Sequence, residues 1–383
     1  MQLSVIILNY NVRYFLELCV LSVQKALDGI DSEIIIVDNN SSDTSSEMIQ
    51  LRFPEIQFIE NKENVGFPKG NNLGVAKAKG NFICILNPDT VVAEDTFHKT
   101  LAFAKSKSNL GIVGCKLIDG KGQFLPESKR GIPTPWVAFT KIFGLYKLFP
   151  KSSLFNQYYA QHLNENQSGK VAILVGAFMV MKRDLYVEIG GFDENCFMYS
   201  DDIDLSYLAL KKGKSNYYFS DTTVIHFKGE STVKDGKYMK RFQEAMNFFY
   251  TKHFKASAFF SFFMRIGMVL FSVIKMFEGK QKTIRNPSKY VLITENTNSN
   301  DLHGKIKNAL RKEDIELNRC VNYETESVEY LIDTNTISYK NAIQIMENNR
   351  NIKSTFKLIP HSSHFLIGSN SKNDRGEIVT FAS

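Results

Sequence analysis

Short apolar runs that alternate with helix-period segments limit this chain to one broad fold class. Ser4 to Leu8 and Glu33 to Val37 are almost wholly apolar, which suits strands covered on both faces. Between them, Tyr14 to Leu27 repeats Phe15, Leu18, Val20, Leu21 and Val23 at helical spacing. The pattern recurs with a helix capped by Ser42 or Asp43 and running to about Leu51, then a short strand from Ile56 to Glu60. A glycine-containing turn over Asn64 to Asn72, a helix from Leu73 to Lys79 and a strand from Asn81 to Leu86 follow. A helix from Glu94 to Ser106 and a strand from Gly111 to Lys116 complete the series. Strands and helices joined by short links predict an α/β domain with a mainly parallel sheet.

Ligands of such sheets bind beyond the carboxyl ends of the strands. Three polar turns fall there: Asn9-Tyr-Asn11, Asp38 to Asp43, and Asn87-Pro-Asp-Thr90. Each is built from ordinary turn formers; their shared edge is what marks a site. The alternation stops between Ile118 and Lys170, where Gly, Pro and aromatic residues dominate. This stretch predicts a partly helical insertion that either binds an acceptor or covers an aromatic mini-core. Val171 to Lys182 predicts one strand, with close backbone approach at Gly176-Ala177. A short helix over Arg183 to Ile189, a helix over Leu205 to Lys212, strands over Ser215 to Phe219 and Thr222 to His226, and a basic helix ending near Tyr250 follow.

Gly190-Gly-Phe-Asp-Glu-Asn-Cys-Phe-Met-Tyr-Ser-Asp-Asp-Ile-Asp-Leu205 sets Asp193, Glu194, Asp201, Asp202 and Asp204 among large apolar residues. The apolar residues favour burial, yet carboxylates are costly to bury unpaired. A cluster at the mouth of a pocket, holding a metal, a proton or a sugar, satisfies both demands. A helix start capped by Asp201 and Asp202 is the plain structural alternative.

At 383 residues the chain has room for one large domain or two. Its net charge of +7 permits contact with anionic lipid or a phosphorylated substrate and does not call for nucleic acid. The five cysteines (Cys19, Cys84, Cys115, Cys196, Cys320) form no CxxC pair, which argues against a disulfide framework or a zinc site and for a reducing compartment. Met1 to Leu8 lacks a basic leader region and reads as a strand rather than a signal peptide.

Six motifs follow in order over roughly the first 250 residues: Val5-Ile-Ile-Leu-Asn-Tyr-Asn11, Ile36-Val-Asp-Asn-Asn-Ser-Ser-Asp43, Asn64-Val-Gly-Phe-Pro-Lys-Gly-Asn-Asn-Leu-Gly74, Leu86-Asn-Pro-Asp-Thr90, the carboxylate-rich stretch and His226-Phe-Lys-Gly229. Together they resemble an inverting family 2 glycosyltransferase of the GT-A fold, in its rhamnosyltransferase-like bacterial polysaccharide subgroup. The resemblance implies a nucleotide-diphosphate sugar donor and Mg2+ or Mn2+ on its phosphates. It implies Asp89 and His226 as metal-site residues. Asn87 stands where the family carries the first Asp of an Asp-x-Asp pair, and would contact ribose or a metal-bound water. Asp38 matches the carboxylate that recognises the nucleoside, and Asn71 and Asn72 match positions near the donor. Asn9, in the first motif and its polar turn, is a further donor-binding candidate, and Lys69 either meets a phosphate or is a solvated lysine. Asp202 matches the general base, with Asp201 orienting the acceptor or tuning its neighbour, and Asp204 a cap or supporting group.

Lys255 to Phe277 is strongly apolar, but Arg265 divides it into two uncharged nine-residue runs, 256–264 and 266–274. Neither reaches the ~18–20 residues of a spanning helix. With Lys252, Lys255, Lys275, Lys280 and Lys282 around it, the stretch predicts either an amphipathic helix on an anionic membrane or a helix packed on the protein or on a second copy. The expected organisation is a catalytic domain over 1–250, this segment and a linker over 251–285, and a small α/β domain over 286–383. The expected activity is transfer of a sugar, such as rhamnose, to a glycan or polyprenyl-linked acceptor at the inner face of the cytoplasmic membrane. Two other classes stand beside it. One is a nucleotide-sugar-binding scaffold with a degenerate site, which Asn87 suggests. The other is a nucleotidyltransferase, which would carry a glycine-rich basic loop where Leu8-Asn-Tyr-Asn-Val12 stands.

Overall fold

The structure is a computed structural model. It describes residues 1–142, 144–149, 152, 154, 155, 157–196, 199–228, 236–254, 287–296, 300–312, 314–318, 327–350, 353–370 and 376–382. The amphipathic stretch predicted over 255–277, most of the linker, Gly229 and Cys320 lie outside these residues.

The first sheet contains β1 (Leu3–Asn9), β2 (Ser32–Asp38), β3 (Gln57–Glu60), β4 (Phe82–Leu86), β5 (Thr90–Val91), β6 (Leu110–Ile118), β7 (Gly169–Val171), β8 (Phe178–Lys182) and β9 (Ser215–His226). Their order is β3-β2-β1-β4-β8-β6-β9-β5, with β7 beside β9. β1 to β4 pair in parallel, and β8 enters antiparallel between β4 and β6. β6 and β9, parallel to each other, therefore run with β1 to β4. The register pairs Asn9 with Asp38 and Ile7 with Leu86, so the carboxyl ends of β1, β2 and β4 finish side by side.

Successive residues of β1 alternate between two cores, as strand geometry requires. Leu3, Val5 and Ile7 pack with α1 (Arg13–Ala26) and α4 (Thr96–Lys105); Ile6 and Leu8 pack towards α3 (Gly66–Lys77), α7 (Arg183–Glu188) and α8 (Asp201–Lys211). α3 begins at Gly66, not at Leu73 as its glycines suggested. Those glycines are packing residues: a Cβ on Gly70 would lie 2.3 Å from Leu8 Cδ1, and one on Gly74 2.6 Å from Ile6 Cγ2. Two strand predictions also change. Val171 to Lys182 is broken by a turn at Gly176-Ala177 into β7 and β8, and Ser215 to His226 is one strand that absorbs a register shift against β6. α2 (Ser45–Arg52) starts beyond Asp43, whose carboxylate accepts the Ser45 N–H. The insertion carries α5 (Pro135–Ile142) and α6 (Leu145–Leu148), and α9 (Gly236–His253) follows β9.

A second sheet contains β10 (Lys289–Ile293), β11 (Ile315–Asn318), β12 (Val328–Asp333), β13 (Ser354–Ile359), β14 (Phe365–Gly368) and β15 (Glu377–Thr380) in the order β11-β10-β12-β13-β14-β15. α10 (Asn300–Leu310) and α11 (Tyr339–Asn348) accompany it. It shares a core with the first sheet: Phe15, Leu18, Val91, Ile225 and Phe227 pack in one cluster with Val291, Tyr330, Ile343 and Phe356. Glu94 accepts the first N–H groups of α11, at Tyr339 and Lys340, where a carboxylate suits the helix dipole. Arg52 pairs with the buried Glu17 and also donates to His361 O, at 2.6 Å, and Ser362 O, at 2.9 Å.

Removing Arg52 strands Glu17 in the interior. Arg52→Ala is expected to cost about 3 kcal/mol in urea unfolding. Adding Glu17→Gln should recover most of that loss, because no charge is then left unpaired. Equal losses in the single and double variants would contradict the coupling.

Candidate active site

The ends of β1 and β2 build a closed polar cradle. Asp38 is buried and accepts three hydrogen bonds: Asn9 Nδ2 at 2.6 Å, Ser41 N at 2.7 Å and Ser41 Oγ at 2.7 Å. Asn11 joins it through its N–H to Ser41 Oγ, while its side-chain oxygen accepts the Ser42 N–H. Asn9 Oδ1 is buried and without a hydrogen-bond partner among the described residues. A carboxylate held on two sides by its own loop is fixed in orientation, with little spare acceptor capacity.

The turn after β4 builds a second group. β5 pairs with the end of β9 so that Thr90 lies opposite His226. This sets His226 Nε2 3.4 Å from Asp89 Oδ1 and 3.3 Å from Asn87 Nδ2. One ring nitrogen cannot donate to Asp89 and accept from Asn87 at once. Asn87 Oδ1 and His226 Nδ1 are both buried with no partner among the described residues. Unmet oxygen and imidazole atoms beside a buried carboxylate are the donor types that Mg2+ or Mn2+ accepts. No group of three or more His, Cys, Asp or Glu side chains converges among the described residues. The chain would thus supply Asp89 and His226, with the rest of the shell from water and phosphate, as Mg2+ commonly takes it. Cys19 lies beneath this turn, with its Sγ 3.6 Å from Asn87 O, and burial pushes its thiol up to about 12.

The third group surrounds Asp202 at the start of α8. Asp202 Oδ2 accepts from Arg130 Nη2 at 2.5 Å and from Gly176 N at 3.0 Å, leaving Oδ1 uncommitted to either. Burial opposes the charge of Arg130, but Asp202 and the Tyr158 hydroxyl outweigh it and raise its pKa. Lys141 Nζ sits 3.5 Å from the Tyr158 ring centre. The Gly176-Ala177 turn joins this group to the second one, because Ala177 O accepts the Asn87 N–H at 3.0 Å. Four of the eight non-glycine residues with positive φ among the described residues lie in the loops after β1, β2 and β9 and before α8: Asn11 (54°), Asn40 (63°), Lys228 (59°) and Tyr199 (81°). Tyr and Lys seldom adopt this conformation, and such backbone strain gathers at functional sites.

Residues 4–190 match the family described as Glycosyl transferase family 2. This segment is a family 2 glycosyltransferase domain. The glycosyltransferase is 23% identical over 213 residues to the N-acetylglucosaminyl-diphospho-decaprenol L-rhamnosyltransferase of Mycobacterium tuberculosis (strain CDC 1551 / Oshkosh), covering 53% of this chain and 68% of that protein. It is 25% identical over 221 residues to rhamnosyltransferase WbbL of Escherichia coli (strain K12), covering 54% and 78%. Low-salt glycan biosynthesis hexosyltransferase Agl10 of Haloferax volcanii is 24% identical over 216 residues, with 55% and 62% covered. Among solved structures, mannosyltransferase PcManGT from Pyrobaculum calidifontis, in complex with GDP-Man and Mn2+, overlays with a TM-score of 0.45 at 19% identity, over 67% of this chain and 65% of that one. The family match and the mainly parallel sheet agree with the GT-A fold that the motifs implied.

Within the glycosyltransferase domain, other predicted residues sit apart from the three groups. Asn72 ties α3 to the loop before α8: its amide donates to Phe192 O and Glu194 and accepts from the Tyr186 hydroxyl. Asn71 Nδ2 donates to Phe67 O, and its Oδ1 is buried without a partner among the described residues. Lys69 is exposed on α3. Asp204 pairs with Lys252 and His253 of α9, so it anchors that helix. Sequence reading missed Arg130, Ser41 and the Gly176 N–H. The signal for Arg130 was a cation in an aromatic, acid-free stretch, which requires a distant anion.

Asp201 is pushed up to about 7, first by burial and then by the charge of Asp202; backbone N–H groups and Arg130 oppose the shift. Its folded pKa thus exceeds that of an unfolded aspartate. Its contribution to stability is full below about pH 4 and is lost as the pH rises through about 7. Asp201→Asn should therefore gain stability over the parent progressively across that window in urea unfolding. A difference independent of pH would contradict the raised pKa.

Proposed function

We propose that this glycosyltransferase inverts the anomeric centre in moving a sugar from a nucleotide diphosphate to a hydroxyl of a lipid-linked glycan. The observation that carries this reading is the Gly176-Ala177 turn, which binds Asp202 on one side and the Asn87 backbone on the other. A carboxylate suited to proton transfer thereby stands beside the strand end that bears Asp89 and His226.

In this mechanism Asp38 and Asn9 orient the nucleoside by hydrogen bonds. Asp89 and His226 would hold the divalent cation, with Asn87 beside them. Bound there, Mg2+ or Mn2+ supplies positive charge for the leaving diphosphate. Asp202 takes the acceptor proton at Oδ1 as the acceptor oxygen bonds to the anomeric carbon and the bond from that carbon to the diphosphate oxygen breaks. Arg130 and Gly176 N–H hold Oδ2 and so aim the other oxygen. The names of the mycobacterial and Escherichia relatives favour rhamnose as the sugar and, for the former, a polyprenyl-diphosphate acceptor. Such an acceptor suits a peripheral enzyme at the inner membrane face, and no helix among the described residues is long and apolar enough to cross a membrane. Asn87, in place of a second carboxylate, favours one rival reading: a protein that binds nucleotide sugars without turning them over.

Donor hydrolysis across a nucleotide-sugar panel, with and without Mn2+ or Mg2+, separates the two. Release from one donor should require the cation and fail in Asp89→Ala. Asp202→Asn should retain nucleotide binding and lower transfer about 10²–10⁴-fold. Binding of a nucleotide sugar with neither hydrolysis nor transfer to any glycan acceptor would establish the rival.

A further inference from the structure

We propose that Lys228 is a diphosphate-binding residue that Glu127 holds in reserve: when the donor arrives, the Lys228 ammonium leaves the Glu127 carboxylate for the phosphates of the nucleotide. The inference deepens the reading of this site as one for a nucleotide-diphosphate sugar and rests on it. Lys228 stands two residues beyond His226, the last residue of β9. Phe227 N donates to Asp89 O at 3.0 Å, so the backbone just before Lys228 is tied to the residue that would hold the cation. Phe227 itself turns into the core behind, packed edge-on against Phe15. The Lys228 backbone is left-handed, with φ 59°. A lysine seldom adopts this conformation, and its cost is typically met at functional positions. From there the ammonium pairs with the carboxylate of Glu127, on the short helical turn Pro126–Ser128 at the root of the insertion.

The pair is suited to exchange. Both side chains are 24% exposed, against 12% for each member of the Arg130–Asp202 pair. An ion pair that water reaches is worth little. A diphosphate carries more than one negative charge and offers a lysine a stronger, charge-assisted partner. Neighbouring cations are committed more firmly. Arg130 is held by Asp202, Lys129 Nζ donates to the carbonyls of Tyr159, Ala160 and Leu163, and the buried Lys116 pairs with Glu347. The leaving diphosphate also gains charge as its bond to the sugar breaks, and an ammonium placed there stabilises that charge as well as the bound donor. An ion pair that merely fastened β9 to the insertion would join the same two residues. The two roles differ in sign: removing Glu127 frees Lys228 in the first and only loosens the structure in the second.

The test is calorimetric titration of the full chain with UDP, GDP, CDP, ADP and dTDP, each with Mn2+. Lys228→Met should weaken the diphosphate that the parent binds about tenfold, and Lys228→Arg should restore most of that loss. Glu127→Gln should tighten the same diphosphate about threefold, because a competing partner of Lys228 is gone. In the Lys228→Met background, Glu127→Gln should add little. The matching nucleoside, which has no phosphates, should bind every variant as it binds the parent, and thermal unfolding should change little. Diphosphate binding unchanged in either single variant would overturn the proposal. So would weaker binding in both, which would assign the pair a purely structural role. A parent that binds one of these diphosphates while Lys228→Met binds it equally well would leave the nucleotide-sugar reading standing and remove this proposal alone. A parent that binds none of them would remove both.

Discussion

The buried pair between Arg130 and Asp202 is the interaction that holds the candidate site together. Both side chains are largely removed from water, so each would be costly without the other. The pair joins the start of α8 to the root of the insertion. Arg130 also exchanges backbone hydrogen bonds with Ile173 and donates to Leu174 O, which draws in the strand leading to the Gly176-Ala177 turn. That turn then carries the geometry to Asn87. Three segments distant in the chain thus meet around one carboxylate, and the carboxylate keeps one oxygen free of both of these donors.

The same site is built to keep its charges unequal. Asp201 and Asp202 are neighbours in sequence, yet Asp202 has a guanidinium partner and Asp201 lies buried against a like charge. Environments that separate two carboxylates in this way assign them different work. At the ends of β1 and β2, three hydrogen bonds from Asn9 and Ser41 fix the orientation of Asp38. Beyond β4 the opposite holds: Asn87 Oδ1 and His226 Nδ1 are buried and unmet among the described residues.

The second sheet is part of this construction. Phe227 follows His226 directly, and it packs edge-on against Phe15 at 5.1 Å within the core shared by both sheets. Tyr14 meets Phe365 at 4.9 Å. Glu94 and Arg52 add polar clamps at the same junction. The strand end that bears His226 is therefore supported from behind by residues of the C-terminal sheet, so loss of that sheet would expose its apolar backing.

Much of this was legible in the residues. Apolar runs in β1, β2 and β4 named the parallel sheet, because strands covered on both faces need no alternation. The polar turns at their ends marked Asn9, Asp38, Asn87 and Asp89, because those residues stand at or just beyond the last residues of the strands. Local sequence could not place α3, whose glycines read as a turn until Leu8 and Ile6 were found lying against them. Nor could it show Val171 to Lys182 broken at Gly176, where the backbone turns to meet Asp202. Arg130 lies 72 positions from its partner, and no spacing rule links them. Which residues stand at strand ends and which carboxylates gather before α8 follow from local periodicity. Which carboxylate is paired and which polar atoms are left unmet among the described residues depend instead on what distant segments of the chain bury.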